Sequence, residues 1–172
     1  MTYLGGCSLL QSLFEEIGKT LRCYLVRHGE AVSAAVDPHR PLSARGRAEV
    51  AEVGRLAVSR NVKVAEIRHS GILRAQQTAA MLAGYLQPTG GVRPSDGLLP
   101  EDDPEFVRME LEAALQPILL VGHMPFLGRL TSLLMSGDAE RLPAGFSPAT
   151  MVYCAKVGAN WRLQWQIGPS DQ

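Results

Sequence analysis

Leu21-Arg22-Cys23-Tyr24-Leu25-Val26-Arg27-His28-Gly29-Glu30 is the stretch on which the fold turns. Leu21 to Val26 is a short apolar and aromatic run, and it stops abruptly at Arg27-His28-Gly29, as a buried strand does where it passes into a loop. Downstream, Asp37-Pro38 and Arg40-Pro41 mark that loop. Ser43 is placed to cap a helix to about Arg60, with Val50, Val53, Leu56 and Ala57 along one face. A strand around Val64 to Ile67 follows. Ser70 is then placed to cap a second helix, from Ile72 to about Leu86, where Ala75, Ala79, Leu82 and Leu86 share a face.

The same alternation continues to the end of the chain. Pro88 to Pro100 reads as a turn-rich connection, and Asp103-Pro104 as an N-cap and first-turn proline opening a helix to about Leu115. Ile118 to Val121 is an apolar run too short for a helix. Gly122-His123-Met124-Pro125 follows it, then a helix over Phe126 to Met135. Thr150 to Val157 and Trp161 to Ile167, separated by Gly158-Ala159-Asn160, form a terminal hairpin in which Trp161 and Trp165 are expected on one face. Strands alternating with helices imply a three-layer α/β/α sandwich with a mainly parallel central sheet.

Composition narrows the function. A chain of 172 residues has the size of one domain, and 46% hydrophobic with 20% charged residues excludes intrinsic disorder. Its 17 basic and 17 acidic side chains cancel, so it lacks the basic excess of a nucleic-acid binder and must meet any anion with a few placed charges. Cys7, Cys23 and Cys154 are odd in number and contain no C-x-x-C pair, which argues against a disulfide framework or a zinc site and for a reducing, cytoplasmic setting. Leu9, Leu10, Leu13, Phe14 and Ile17 make an apolar stripe, but Glu15 and Glu16 interrupt it and no basic residue precedes it. Residues 1–20 are therefore expected to be an N-terminal extension, an accessory helix, ahead of a single domain over 21–172. No run is long enough to span a bilayer.

Three polar signatures fall at strand ends, where ligands bind in open α/β sheets: Arg27-His28, Ser70 to Arg74, and Gly122-His123. Arg74 is informative by itself. A cation in the first turn of a helix faces the positive end of the macrodipole, so either it bends away into solvent or an anion compensates it. For His28 or His123 alone, a hydrogen-bonded core histidine is the simpler account, and His39 and His69 are given that account.

Leu25-Val26-Arg27-His28-Gly29-Glu30, Leu73-Arg74-Ala75-Gln76-Gln77-Thr78-Ala79 and Val121-Gly122-His123-Met124-Pro125 together resemble the three signatures of the histidine phosphatase superfamily. Arg40-Pro41-Leu42-Ser43, Gly46-Arg47 and the small size resemble its SixA-like phosphohistidine phosphatase branch. The likeness covers about residues 21 to 167. It departs from the family pattern at His69, where a small residue is usual, and at Gly71, where proline is common.

The resemblance implies a phosphoglycerate mutase-like fold and no cofactor or metal. His28 becomes the nucleophile that takes the phosphoryl group, and Arg27, Arg74 and a protonated His123 hold the phosphate oxygens. The chemistry is consistent with these roles. An imidazole attacks only when neutral, adjacent guanidinium groups disfavour its protonation, and the cations offset the phosphoryl charge. An acid to protonate the leaving group is sought in Glu101-Asp102-Asp103. Asp103 is accounted for as a cap and Asp102 as a solvated side chain, which leaves Glu101, with Glu30 as a second candidate whose other reading, as a motif residue beside the nucleophile, is to orient the loop.

The leaving group bears on the substrate. Imidazole departs more easily than an alkoxide, so phosphohistidine makes less demand on an acid. The short connections after Gly29 and Leu86 leave no room for the large lids of related mutases. The expected partner is accordingly a phosphorylated protein, such as a histidine phosphotransfer protein, with a small phosphoester as alternative and no nucleic acid or membrane. Two further readings are open to the same residues: a phosphohistidine-binding module without turnover, and a metal site of His28, Glu30 and His123, which two arginines oppose.

Overall fold

A computed structural model describes residues 21–141 and 145–169. The expected extension at residues 1–20 lies outside them. In chain order the elements are β1 (Arg22–Arg27), α1 (Ala44–Ser59), β2 (Glu66–His69), α2 (Leu73–Leu86), β3 (Val92–Pro94), α3 (Pro104–Ala113), β4 (Ile118–Gly122), α4 (Phe126–Ser136), β5 (Met151–Val157) and β6 (Asn160–Ile167). The six strands form one sheet in the order β3-β2-β4-β1-β5-β6. Pairings are parallel from β3 to β1 and antiparallel from β1 to β6.

Alternation along β1 divides the core into two layers. Tyr24 and Val26 face Val50, Val53, Ala57, Ala75, Ala79 and Leu82 of α1 and α2. Cys23 and Leu25 face Val107 and Leu111 of α3 and Phe126, Leu127 and Leu130 of α4. The result is the expected α/β/α sandwich with a largely parallel sheet.

The helix starts follow local chemistry. The Ser43 hydroxyl accepts from the Gly46 amide at 2.9 Å, and Asp103 Oδ1 accepts from the Glu105 amide at 3.0 Å ahead of Pro104. Ser70 does not cap α2. The N-cap position is Ile72, with no side-chain cap bond, because Gly71 takes φ +84° and turns the chain between Ser70 and the helix. Proline, fixed near φ −65°, cannot make that turn.

Five other expectations shift. The second strand lies two residues later than expected, and α3 ends at Ala113. The 88–100 connection contains β3, an exposed three-residue strand placed by its parallel pairing with β2. Asp102 accepts from the Leu99 amide at 2.8 Å, closing a turn. Trp161 and Trp165 do not share a face: a register shift opposite Tyr153/Cys154 sends Trp161 into the α3/α4 layer, while Trp165 packs with Tyr24 and Tyr153 on the α1/α2 side. A bulge of one residue reverses a strand's alternation in this way.

Candidate active site

Parallel pairing of β1 with β4 aligns Arg27 with Gly122, so His28 and His123 leave the sheet side by side. The His28 amide donates to the Gly122 carbonyl at 3.2 Å, and the two imidazole centroids are 4.9 Å apart. On the far side of β4, β2 pairs His69 with Val121 and delivers Ser70 to the same end. α2 then brings Arg74 back over His28.

Hydrogen bonding sets the state of His28. Its Nδ1 lies 2.7 Å from the Gly29 carbonyl oxygen, which can only accept, so Nδ1 carries the proton. The lone pair is therefore on Nε2, where Arg74 Nε donates at 3.1 Å. His28 is buried, and burial is the main cause that pushes its pKa down to about 4. The Gly29 bond opposes that shift, while Arg74, Arg27 and Arg40 add to it.

His123 is 2% exposed. Its Nε2 is engaged by Ser70 Oγ at 2.7 Å, and its Nδ1 is buried without a partner. Burial first, then His28, Arg74 and Arg27, push it down to about 3. In these surroundings the ring is therefore neutral, because burial first, and then the second imidazole and the two guanidinium groups, disfavour its charged form.

Arg27 Nη1 donates to the Phe146 carbonyl at 2.5 Å, while its Nε is buried and unpartnered. Burial holds both Arg27 and Arg74 below the ordinary arginine value. Arg27 Nε and His123 Nδ1 are thus two buried polar atoms without partners beside one imidazole, an arrangement whose desolvation cost an acceptor-rich anion would relieve. The solvated account of Arg74 is excluded by its bond to His28.

Supporting residues hold the nucleophile loop. Thr78 Oγ1 accepts from the Gly29 amide at 3.1 Å and donates to the Arg74 carbonyl at 2.7 Å, joining loop to helix. Glu30 accepts from the Ser43 hydroxyl at 2.7 Å and lies 3.9 Å from Arg45, so it orients the loop against α1. Glu101 is exposed in the turn after Leu98 and makes no hydrogen bond or ion pair with the cluster. That turn nevertheless runs beside the end of β4: the Leu98 carbonyl lies 3.6 Å from where a Gly122 Cβ would stand. Among the described residues no group of three or more His, Cys, Asp or Glu side chains is arranged to hold a metal ion.

The family model for the histidine phosphatase superfamily (branch 1) matches residues 23–98. The chain is 25% identical over 156 residues to the phosphohistidine phosphatase SixA of Escherichia coli strain K12, spanning 88% of this chain and 96% of that one. A solved structure of the protein histidine phosphatase SixA complexed with tungstate superimposes with a TM-score of 0.76 at 25% identity, covering 86% of this chain and 97% of the other.

The chain is similar to the histidine phosphatase superfamily over residues 23–98 and to SixA proteins along most of its length.

The likeness is to the SixA-like branch, and the protein is a phosphatase. The fold alone extends further. A phosphoserine phosphatase mutant from Entamoeba histolytica, solved with phosphoserine, matches with a TM-score of 0.65 at 13% identity over 84% of this chain and 95% of its own. Of the expected site residues, the fold brings Arg27, His28, Arg74 and His123 into one cluster and leaves Glu101 at its margin. Sequence reading missed Thr78, which looks like any mid-helix threonine, and the true partner of Ser70. The signal for Thr78 lay in its spacing, since a side chain four residues after Arg74 stands on the same helical face. No helix among the described residues is long and apolar enough to cross a membrane.

Proposed function

We propose that this enzyme removes a phosphoryl group from phosphohistidine on a partner protein through a covalent intermediate on His28. The carrying observation is the neutral His28 imidazole, its Nε2 unprotonated and approached by the Arg74 donor and its Nδ1–H tied to Gly29, among Arg27, Arg74 and His123. In the first step Nε2 forms a bond to phosphorus as the bond to the leaving nitrogen breaks. That nitrogen keeps the electron pair, and because the substrate ring reacts with a proton on its other nitrogen, it departs as a neutral imidazole and not as an imidazolate anion. Water then attacks the phosphorylated His28, releasing phosphate and restoring the lone pair.

Arg27 and Arg74 act in both steps by offsetting charge on the phosphoryl oxygens, and the unpartnered Arg27 Nε is available for that bond. His123, neutral in these surroundings, gains a reason to take up a proton once a dianion stands among the cations, because the dianion reverses the sign of the local field. For an alkoxide leaving group we assign proton donation to Glu101, on the turn that passes β4. Phosphohistidine does not require that proton to the same degree.

Two measurements test this reading. Brief mixing with a histidine-phosphorylated protein should leave an acid-labile phosphoenzyme that His28→Ala abolishes. Tight binding of the phosphoprotein with no phosphoenzyme would instead indicate a binding module, and rapid hydrolysis of sugar phosphates or nucleotides with phosphohistidine untouched would indicate a small-molecule phosphomonoesterase. In the second, Glu101→Gln should slow hydrolysis of an alkyl phosphate by about 100-fold, the usual size of a general-acid contribution, and leave phosphohistidine turnover within about threefold; equal losses on both would remove Glu101 from that role.

A further inference from the structure

The wall of the active site at Ser70 is shared with a groove of about 600 Å³ at the ends of β2 and β3, closed on its far side by α3. Its lining includes Ser70, Arg93, Asp96, Phe106 and Glu110. Ser70 holds His123 from one side and forms the groove edge on the other. Gly71, at φ +84°, continues the groove lining beside Ser70 and borders open space. In the strand order β2 lies two strand spacings from β1, so the groove starts about 10 Å from His28. A residue one helical turn from a phosphorylated side chain covers that distance.

Charge and apolarity in the groove differ from those in the site. Arg93 is paired with Glu66 at 2.9 Å, and Arg68 is shared by Glu66 and Glu110, the latter at 3.1 Å. With the exposed Asp96, three carboxylates stand against two guanidinium groups, which leaves one net negative charge beside a strongly cationic pocket. Phe106 is 52% exposed, its ring laid over Gly97 at the groove edge. Desolvated aromatic side chains are frequent anchors of protein interfaces, whereas a half-exposed phenylalanine contributes little to a free monomer.

We propose that this groove binds the substrate protein on the flank of its phosphorylated residue, selecting a segment that presents a lysine or arginine to Asp96 and Glu110 and an apolar side chain to Phe106. The phosphoryl dianion enters the arginine pocket while the basic flank meets the acidic wall. A bare small phosphoester satisfies only the first. The proposal rests on the reading of the enzyme as a phosphohistidine phosphatase acting on a protein.

The test uses the full chain and three compounds: free phosphohistidine, a phosphohistidine peptide with lysine and leucine within four residues of the phosphorylated side chain, and the same peptide with glutamate for lysine. Wild type should favour the lysine peptide over the glutamate peptide by about fivefold in kcat/KM, the reach of one exposed charge pair. Asp96→Lys should erase or invert that preference. Phe106→Ser should lower kcat/KM on the lysine peptide by about tenfold, as loss of an interface anchor does. Both variants should hydrolyse free phosphohistidine within about twofold of wild type, a result that also shows them folded. Equal rates on the two peptides in wild type, or variant losses of the same size on free phosphohistidine, overturn the groove assignment and leave the reading of the enzyme standing. Failure to hydrolyse any of the three, with rapid turnover of a small phosphate ester, overturns both.

Discussion

The state of one nitrogen, His28 Nε2, decides what the site can do. With Nδ1–H held by the Gly29 carbonyl, protonation must occur at Nε2, the atom Arg74 already approaches with a donor. Burial, reinforced by Arg74, Arg27 and Arg40, pushes this event down to about 4, so at neutral pH the lone pair is available. Imidazole resonances of selectively labelled protein should therefore show His28 neutral until about pH 4. In Arg74→Ala the titration should move upward, because the guanidinium that disfavours the second positive charge is gone, yet stay below 6.5 because burial is the larger cause. Titration of wild-type His28 near 6.5 would refute this picture of the nucleophile. Gly71 carries a second residue-scale argument. Its φ of +84° and its amide, which donates to His69 Nδ1 at 3.1 Å, are both denied to proline. The unusual histidine at 69 and the unusual glycine at 71 thus support each other. Gly71→Pro should destabilise the protein by more than ~1 kcal/mol in urea unfolding, although proline in a loop normally stabilises; an unchanged or raised midpoint would contradict the pairing.

At the scale of elements, the site depends on α1 lying hard against the nucleophile loop. A Cβ at Gly46 would stand 2.1 Å from the Glu30 carbonyl oxygen and 2.7 Å from its amide nitrogen, both backbone atoms that cannot rotate aside. Gly46→Ala must therefore push the helix away from the loop. The cost should be ~1–3 kcal/mol, as for overpacking elsewhere, and activity should fall with it because Glu30 and Ser43 lose their shared bond. Denaturant melts compared with phosphatase rates check both, and a stable, fully active Gly46→Ala would show that the contact yields. How far the elements were legible follows from where the signals lay. Strands β1 and β4 announced themselves because apolar runs ended in Arg27-His28 and Gly122-His123, and Arg74 stood out as a cation at the wrong end of a helix. β3 carries no apolar pattern, being exposed and held by backbone pairing to β2, so its residues look like loop. The face of Trp165 was hidden for a related reason: a bulge is a property of pairing between strands and leaves no mark on periodicity within one. Ser70 sat where a cap belongs, and only the turn at Gly71 redirects it to His123.

For the molecule as a whole, gathering histidines in a buried cationic pocket works against stability in acid. His28 and His123 titrate at about 4 and about 3 in the folded protein, and burial also lowers His69, whereas unfolded histidine titrates near 6.5. Above 6.5 both states are neutral and nothing is lost. As pH falls from 6.5 toward 4 the unfolded chain takes up protons that the folded one refuses, so stability declines by as much as ~1.4 kcal/mol per pH unit for each histidine. The paired carboxylates act in a lower window. Burial pushes Glu66 up, but Arg93 and Arg68 outweigh it. Glu112 is likewise held down by Lys156 and by Trp161, whose Nε1 donates at 2.8 Å and ties α3 to the terminal hairpin. Their stabilisation is complete above the ordinary carboxylate range and is lost only as pH drops through their lowered values. Urea midpoints measured at intervals from pH 7.5 to 4.5 should consequently fall steeply below 6.5, before any carboxylate contributes. In a His28→Gln, His123→Gln double variant the decline over that window should be markedly shallower, leaving the share due to His69. A wild-type midpoint that stays flat down to pH 5 would mean that the pocket admits protons freely, and with that the account of a neutral nucleophile enclosed by arginines would fail.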